Sequence, residues 1–322
     1  MKILVTGGAG YIGAHIAHDL CEAGHDVIVL DDLSLGREEN IPAEARFIKG
    51  STHDSSQLQD ILQDGVRAVM HFAAWKAAGE SMTDPGKYAA NNISGTLNLL
   101  NAMIATDVKI IVFSSTAAVY GYPDYLPVDE DHPTKPINYY GYTKLAIEQN
   151  LTWYSQLKGL RFAALRYFNA AGYDIRGRVR GKEHRPQNLL PVVMEVAAGV
   201  RAGMQVFGDD YDTPDGTGVR DYIHVNDLAT AHLKALDYLL TEAKDLTVNL
   251  ATGQGYSVLD VIGETRKVTG RPVPYEIVAR RPGDPAELVA TSKRALDLLD
   301  WEPEYSDLNT LLKSMWDIYK PS

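Results

Sequence analysis

Thr6-Gly7-Gly8-Ala9-Gly10-Tyr11-Ile12-Gly13 stands directly after the aliphatic run Ile3-Leu4-Val5 and leads into Ile12, Ile16 and Leu20, which repeat at helical spacing. A strand must therefore turn into a helix within these residues. Glycines at 7, 10 and 13 permit the tight turn, let backbone N–H groups approach a pyrophosphate, and let helix and strand pack closely. Outward from this point, short buried-strand runs recur at Val27 to Leu30, Phe47-Ile48, Ala68 to Phe72, Ile110 to Phe113 and Phe162 to Leu165. Helical spacing returns in Ile93, Leu97, Leu100 and Ile104. The alternation predicts an α/β fold with a doubly wound parallel sheet, the Rossmann arrangement, over residues 1–172.

After Gly172 the alternation stops, and a loop rich in Gly and Arg, Arg176 to Arg185, leads into Leu189-Leu190-Pro191 and a helix. A smaller C-terminal α/β substrate domain is expected over 173–322. Part of about 219–240 is expected to return to the first domain. The second strand ends in Asp31-Asp32, 18 residues beyond Gly13, the distance at which a carboxylate reaches the adenosine ribose hydroxyls. Asp31 is the residue expected there, and its charge favours NAD over NADP; Arg37 nearby leaves NADP open.

The 322 residues, 45% hydrophobic and 23% charged, suit a soluble globular chain with a large core. A net charge of -11 repels polyanions, so nucleic acid is not an expected partner, and a small anion needs arginines focused on it locally. Cys21 is the single cysteine, which excludes an intrachain disulfide and a Cys-based zinc cluster and fits a reducing cytoplasm. Ile3 to Val5 is too short for a signal-peptide core, and nothing in the chain approaches a membrane span. No metal site is expected: His15 and His18 lie three apart with no completing ligands and read as a solvated helix face. The basic run Arg176 to Arg185 likewise reads as solvated, and His71 and His224 as satisfied core histidines.

Tyr140 and Lys144 are four apart, so on a helix both project from one face. An ammonium beside a phenol stabilises phenolate and draws the tyrosine pKa down from about 10, as a general base for an alcohol proton requires. Tyr154 and Lys158 repeat the spacing one helix length away, about 21 Å along a shared axis, so only one pair can meet a cofactor. Position decides between them. Ser114-Ser115-Thr116 ends a strand, where ligands of doubly wound sheets gather, and Tyr140 opens its helix after the loop punctuated by Pro123, Pro127, Pro133 and Pro136. Tyr154 lies near the helix end at Gly159 and is assigned to structure.

The glycine pattern, Ser114-Ser115-Thr116 and Tyr140-x-x-x-Lys144 resemble the extended short-chain dehydrogenase/reductases. Five further segments resemble, within them, the UDP-glucose (UDP-galactose) 4-epimerases. They are Arg166-Tyr167-Phe168-Asn169, Gln187-Asn188-Leu189, Phe207-Gly208-Asp209-Asp210-Tyr211, the run Asp215 to Val225, and Arg281-Pro282-Gly283-Asp284. The likeness runs essentially end to end. It implies an NAD-dependent isomerase with Tyr140, Lys144 and Thr116 catalytic. It puts Gly7, Gly10, Tyr11, Ile12, Gly13, Asp31, Lys76, Asn91, Ser114, Tyr140, Lys144 and Tyr167 around NAD. It puts Thr116, Asn169, Asn188, Leu189, Phe207, Arg220, Arg281 and Asp284 around a UDP-sugar, and it points to Leu288 as the residue governing room for a 2-acetamido group. A homodimer is also implied. Two positions depart from the family pattern: Thr116 stands where serine is frequent, and Ser51 where an aspartate near the adenine is common.

Rival readings remain open on the residues alone. A nucleotide-sugar 4,6-dehydratase shares the first hydride step but needs an acid and a base where this chain has Ala117-Ala118. A UDP-N-acetylglucosamine 4-epimerase differs only in the room its pocket gives. A non-catalytic dinucleotide sensor would not need Tyr140, Lys144 and Thr116 together with Arg220 and Arg281.

Overall fold

Strand β1 (Lys2–Thr6) enters helix α1 (Tyr11–Glu22) in the computed structural model, which describes residues 1–183, 186–281 and 283–321. The alternation continues through β2 (Asp26–Asp31), β3 (Arg46–Lys49), α2 (Ser55–Gln63), β4 (Val66–His71), α3 (Ala78–Thr83), α4 (Pro85–Tyr88), α5 (Gly95–Ala105), β5 (Ile110–Thr116), α6 (Tyr139–Lys158) and β6 (Arg161–Tyr167). There follow β7 (Asn169–Ala171), α7 (Leu189–Ala197), β8 (Met204–Phe207), β9 (Val219–His224), α8 (Val225–Thr241) and β10 (Leu246–Leu250). The chain closes with β11 (Gly255–Ser257), α9 (Val258–Thr269), β12 (Tyr275–Val278), β13 (Glu287–Leu288), α10 (Lys293–Leu299) and α11 (Leu308–Tyr319).

Seven strands form one parallel sheet in the order β10-β6-β5-β4-β1-β2-β3. The order reverses between β1 and β4, which opens a crevice at their carboxyl ends. Both faces are covered, hence the continuous apolar runs. One core joins β1, β2 and β4 to α1 and α8 through Ile3, Val5, Ile16, Leu20 and Leu228, and the other joins the sheet to α2, α5 and α6 through Leu4, Leu58, Leu99 and Ile147. A second unit gathers α7, α9 and α11 around Val193, Val261 and Leu311. Its small sheet joins β7, β9, β11 and β13, and β8 pairs with β12. From the segment about 219–240, β9 stays in that small sheet, whereas α8 packs on α1 and β10 then adds the seventh strand beside β6.

Two surface readings need correction. His15 is fully buried, its Nδ1 2.7 Å from the Tyr11 carbonyl and its Nε2 accepting the Asp174 N–H at 3.0 Å. Arg178 is not solvated either: it donates to Asp174 at 2.8 and 3.0 Å and to Asp19 at 2.7 Å, and it pairs with Glu22 at 2.6 Å. The cause is shared, since the segment after Gly172 doubles back across α1 and covers a helix face that looks solvent-facing in isolation. Arg176 reaches Glu22 as well, while Arg185 lies outside the described residues. His71 sits between the Thr6 and Thr96 hydroxyls at 2.6 and 2.8 Å, and His224 Nδ1 accepts the Asn226 N–H at 3.1 Å, so both are satisfied core groups.

Burial holds four histidines neutral, with pKa values lowered to about 4 for His15 and His232 and to about 3 for His71 and His224. An unfolded histidine titrates near 6.5, so between there and about pH 4 the unfolded chain binds protons that the folded chain refuses. Stability therefore falls as pH drops through this window. Replacing His15 with Gln removes its share, on the order of 3 kcal/mol across the window. Unfolding free energies of the two proteins between pH 7 and 4 check this, and parallel curves would refute it.

Candidate active site

The glycine turn is fixed by contact. Gly7 has φ +73°, and a Cβ there would lie 2.6 Å from the Ala73 nitrogen; a Cβ at Gly13 would lie 2.3 Å from the Gly7 carbonyl oxygen. Gly10, the N-cap of α1, offers no side chain to the first turn, which leaves the N–H groups around Tyr11, Ile12 and Gly13 for an anion. This cradle, lying at the switch point between β1 and β4, fits a dinucleotide pyrophosphate. Asp31 follows at the end of β2, accepting the Ala9 N–H at 3.0 Å and the Leu33 N–H at 2.8 Å. Burial pushes its pKa up and the two bonds oppose this. The carboxylate has lone pairs left for ribose hydroxyls. Arg37, the residue that left NADP open, donates Nε to the Lys182 carbonyl at 2.7 Å and lies 3.8 Å from Glu39, so its guanidinium is already engaged.

Other expected cofactor residues have additional partners. The Tyr11 phenol donates to the Gly172 carbonyl, which ties the glycine turn to the second unit. Lys76 pairs with Glu183 and lies 5.8 Å from the Tyr11 ring centroid. Asn91 stands on a π-helical turn, Ala89–Ser94, a local widening frequent at functional sites. Its neighbour Asn92 was missed from the sequence: fully buried, it bonds both backbone groups of Trp75 at 2.9 and 3.0 Å and donates to the Thr143 hydroxyl at 3.1 Å. The adjacent asparagines in a helical run were the available signal. Tyr167 is buried, and its phenol meets His232 Nε2 at 2.5 Å, so it stands behind the crevice. Ser51 accepts the His53 N–H at 3.3 Å and shapes the turn after β3.

Helix α6 starts where Asn138 accepts the Gly141 N–H at 2.8 Å. Gly141 is required, because a Cβ there would sit 2.4 Å from the Ala118 carbonyl oxygen. This approach brings half-buried Tyr140 against Thr116 at the end of β5, while the Tyr140 N–H is held by the Ser81 hydroxyl at 3.0 Å. Lys144, one turn on, is 2% exposed and donates to the Ser114 carbonyl at 2.7 Å. Burial pushes the Tyr140 phenol up to about 12, opposed by the Thr116 hydroxyl, and pushes the Lys144 ammonium down to about 7, opposed by Glu148. The lowering expected from Lys144 is therefore not found: burial raises the phenol, only the Thr116 hydroxyl opposes it, and Lys144 spends its bond on a carbonyl. Tyr154 lies further along α6 and donates to Asn101 at 2.6 Å, a structural bond.

Across the crevice, Asn169 donates to the Asp221 carbonyl at 2.8 Å, and Asn188 caps α7 ahead of Leu189 without a side-chain bond of its own. Phe207 ends β8, with the Arg281 guanidinium 3.7 Å from its ring centroid. Arg220 on β9 pairs in register with Leu288 on β13 and donates to the Val219 carbonyl at 2.8 Å. Leu288 is partly buried against the apolar cluster that includes Ala117, Val119 and Phe168. The Asp284 N–H reaches the Arg281 carbonyl at 3.4 Å and closes a turn in which Pro282 lies outside the described residues. Asp221, not singled out from the sequence, is fully buried, accepts Thr252 and Gly253 at 2.7 to 3.0 Å, and has its pKa raised to about 6 by burial. Among the described residues, no group of three or more His, Cys, Asp or Glu side chains is placed to hold a metal ion.

A family model described as the NAD dependent epimerase/dehydratase family matches residues 3–251. The chain belongs to that family. It is 48% identical to a UDP-glucose 4-epimerase of Halalkalibacterium halodurans over 99% of this chain and 96% of the relative. Its fold is similar to that of the UDP-glucose 4-epimerase from Brucella ovis solved in complex with NAD, with a TM-score of 0.95, 43% identity and coverage of 99% and 98% of the two chains. It is also similar to the Bifidobacterium longum enzyme solved with NAD+ and UDP, with a TM-score of 0.92, 40% identity and the same coverages.

Arg220 and Arg281 are the cations expected to hold the UDP-sugar; the first bonds the Val219 carbonyl and the second lies over Phe207. Replacing either with Ala should weaken UDP binding by about 1.5–3 kcal/mol, the range for hydrogen bonds to charged groups. Titration of free UDP into each variant reads this, and unchanged affinity removes that arginine from the site.

Proposed function

We propose that this member of the epimerase/dehydratase family inverts carbon 4 of UDP-glucose and UDP-galactose through a 4-keto sugar, with NAD retained through each turnover. The observation that carries the reading is the meeting of Thr116, Tyr140 and Lys144 at the end of β5. NAD is the cofactor, and when bound it supplies reversible hydride acceptance at the sugar carbon. Tyr140 takes the proton from the 4-hydroxyl and later returns it, and the Thr116 hydroxyl hydrogen-bonds the same oxygen. Lys144, one helical turn on, holds α6 to the end of β5 through the Ser114 carbonyl. Arg220 and Arg281 grip the pyrophosphate, charge against charge on an acidic protein, while the sugar turns over between them. Gly7, Gly10, Tyr11, Ile12, Gly13, Asp31, Lys76, Asn91, Ser114 and Tyr167 surround the dinucleotide. Asn169, Asn188, Leu189, Phe207, Asp284 and Leu288 surround the UDP-sugar.

Dehydration is disfavoured because Ala117 and Ala118 follow Thr116, and a methyl group is neither acid nor base. Leu288, partly buried against the cluster that includes Ala117 and Phe168, narrows the sugar pocket against N-acetyl substrates. The assay is conversion of UDP-galactose coupled to UDP-glucose oxidation, with the dinucleotide released on denaturation identified separately. Tyr140→Phe should lower turnover by at least about 10²-fold with NAD still bound, and Tyr154→Phe should do little. UDP-N-acetylglucosamine should be converted roughly tenfold or more less efficiently, the scale of steric discrimination in an apolar pocket. Equal losses in the two tyrosine variants, or no turnover of UDP-galactose, would sink the reading.

No helix among the described residues is long and apolar enough to cross a membrane. We place the protein in the cytoplasm as a homodimer, with neither nucleic acid nor membrane as a partner. Its pairing face is a groove along α5 and α6, where Trp153 and Leu157 are 60% and 68% exposed beside Ile104 and Ala105. A self-complementary helix pair buries such a face in a two-fold dimer. Trp153→Glu should halve the mass measured by sedimentation, and an unchanged mass would exclude this face.

A further inference from the structure

Three consecutive residues of β5 each meet one of three α6 residues spaced by four. Thr116 faces Tyr140, the Ser114 carbonyl takes the Lys144 ammonium at 2.7 Å, and the Ser115 hydroxyl donates to Glu148 at 2.5 Å. Only the first two contacts belong to the reacting groups. The third is the most heavily bonded: Glu148 also accepts Arg166 Nε at 3.0 Å and Nη2 at 2.7 Å, both side chains being 8% exposed. Arg166 in turn donates to the Tyr120 phenol at 2.9 Å, which donates to Asn249 Oδ1 at 2.6 Å. Ser115, Arg166 and Asn249 are register partners across β5, β6 and β10, so Glu148 stands over one row of three adjacent strands.

We propose that Glu148 is a positioning residue for the reaction: its carboxylate, locked to the Ser115-Arg166-Asn249 row, fixes the register of α6 on the sheet and so sets Lys144 on Ser114 and Tyr140 on Thr116. The inference rests on the roles given above to Tyr140 and Lys144. A two-oxygen carboxylate gripped by a planar guanidinium resists both rotation and sliding, which a single apolar contact does not. Register matters because a one-residue slip turns the helix by about 100° and carries all three side chains off β5. The neutral-overall pair also leaves the reacting groups without a stray buried charge nearby, since each partner compensates the other. The titratable groups facing this region are Arg166 and Tyr167 on β6, Tyr120 after β5, Glu130 in the next loop with Arg294 opposite it, and His71 on β4, held neutral by burial.

The experiment compares the holoenzyme with Glu148→Gln, Arg166→Gln and the double variant, reading NAD retained per chain, kcat and KM for UDP-galactose, and the pH dependence of kcat. Glu148→Gln leaves Arg166 uncompensated; the added positive potential eases proton loss, so the acid limb of kcat moves to lower pH. Arg166→Gln leaves Glu148 uncompensated and moves the limb to higher pH. The double variant, unchanged in net charge and spared a lone buried ion, keeps its NAD and the position of the limb. It loses the fixed register, so kcat falls roughly ten- to a hundred-fold, as misplacement of reacting groups implies, while KM changes less than about threefold because ground-state binding is untouched. Wild-type kcat in the double variant overturns the proposal, and so do NAD-retaining single variants whose limbs stay at the wild-type pH. If the single variants lose NAD, the double variant decides. Tyr140→Phe is the control: an active Tyr140→Phe defeats the role of Tyr140 itself, whereas an inactive one beside a fully active double variant defeats only that of Glu148.

Discussion

The approach of α1 to β1 is the constraint on which the remainder depends. The Gly7 carbonyl occupies the space in which any side chain at Gly13 would begin, so the helix starts immediately off the strand and directs its free N–H groups into the crevice. Asp31 reinforces the same turn from the neighbouring strand by accepting the Ala9 N–H. Because β1 is the strand at which the sheet order reverses, this turn lies beside the end of β4 and one strand from β5. The Gly141 approach to the Ala118 carbonyl repeats the device at the start of α6. Two absent Cβ atoms thus bring the glycine turn and Tyr140 to the carboxyl ends of strands of one sheet.

The second unit is tied to the first by polar side chains as well as by packing. Arg178 grips α1 through Asp19 and Glu22, the Tyr11 phenol holds the Gly172 carbonyl, and Arg37 holds the Lys182 carbonyl. Ion pairs of this kind contribute little when exposed, but Asp174 and the Arg178 head are largely withdrawn from water and share several bonds, so removing one partner would strand the other. The segment from Gly172 to Glu183 is therefore fixed against the glycine turn and α1.

Charge is managed differently at each depth. The chain is acidic overall, four buried histidines are held neutral, and the cations withdrawn from water each have a partner: Lys144 the Ser114 carbonyl, Arg166 Glu148, and Arg178 Asp174 and Asp19. Confinement gives these cations their effect. A cation withdrawn from water interacts more strongly with an opposite charge than one at the surface, because the medium between them screens less.

By itself the sequence determined what depends on short-range spacing. The strand-glycine-helix passage, Asp31 at the end of the second strand, the i, i+4 pair of Tyr140 and Lys144, and the preference for that pair over Tyr154 and Lys158 all follow from local geometry and the order of elements. Tertiary structure decided what depends on a partner far along the chain. His15 and Arg178 looked solvated until the returning segment covered α1, and Asn92 and Tyr167 acquired their roles only from Trp75, Thr143 and His232. It also decided the sign of the tyrosine shift. Spacing put an ammonium one turn from a phenol, but only the folded environment could say that burial would raise the phenol and lower the ammonium, with Thr116 and Glu148 as the opposing groups.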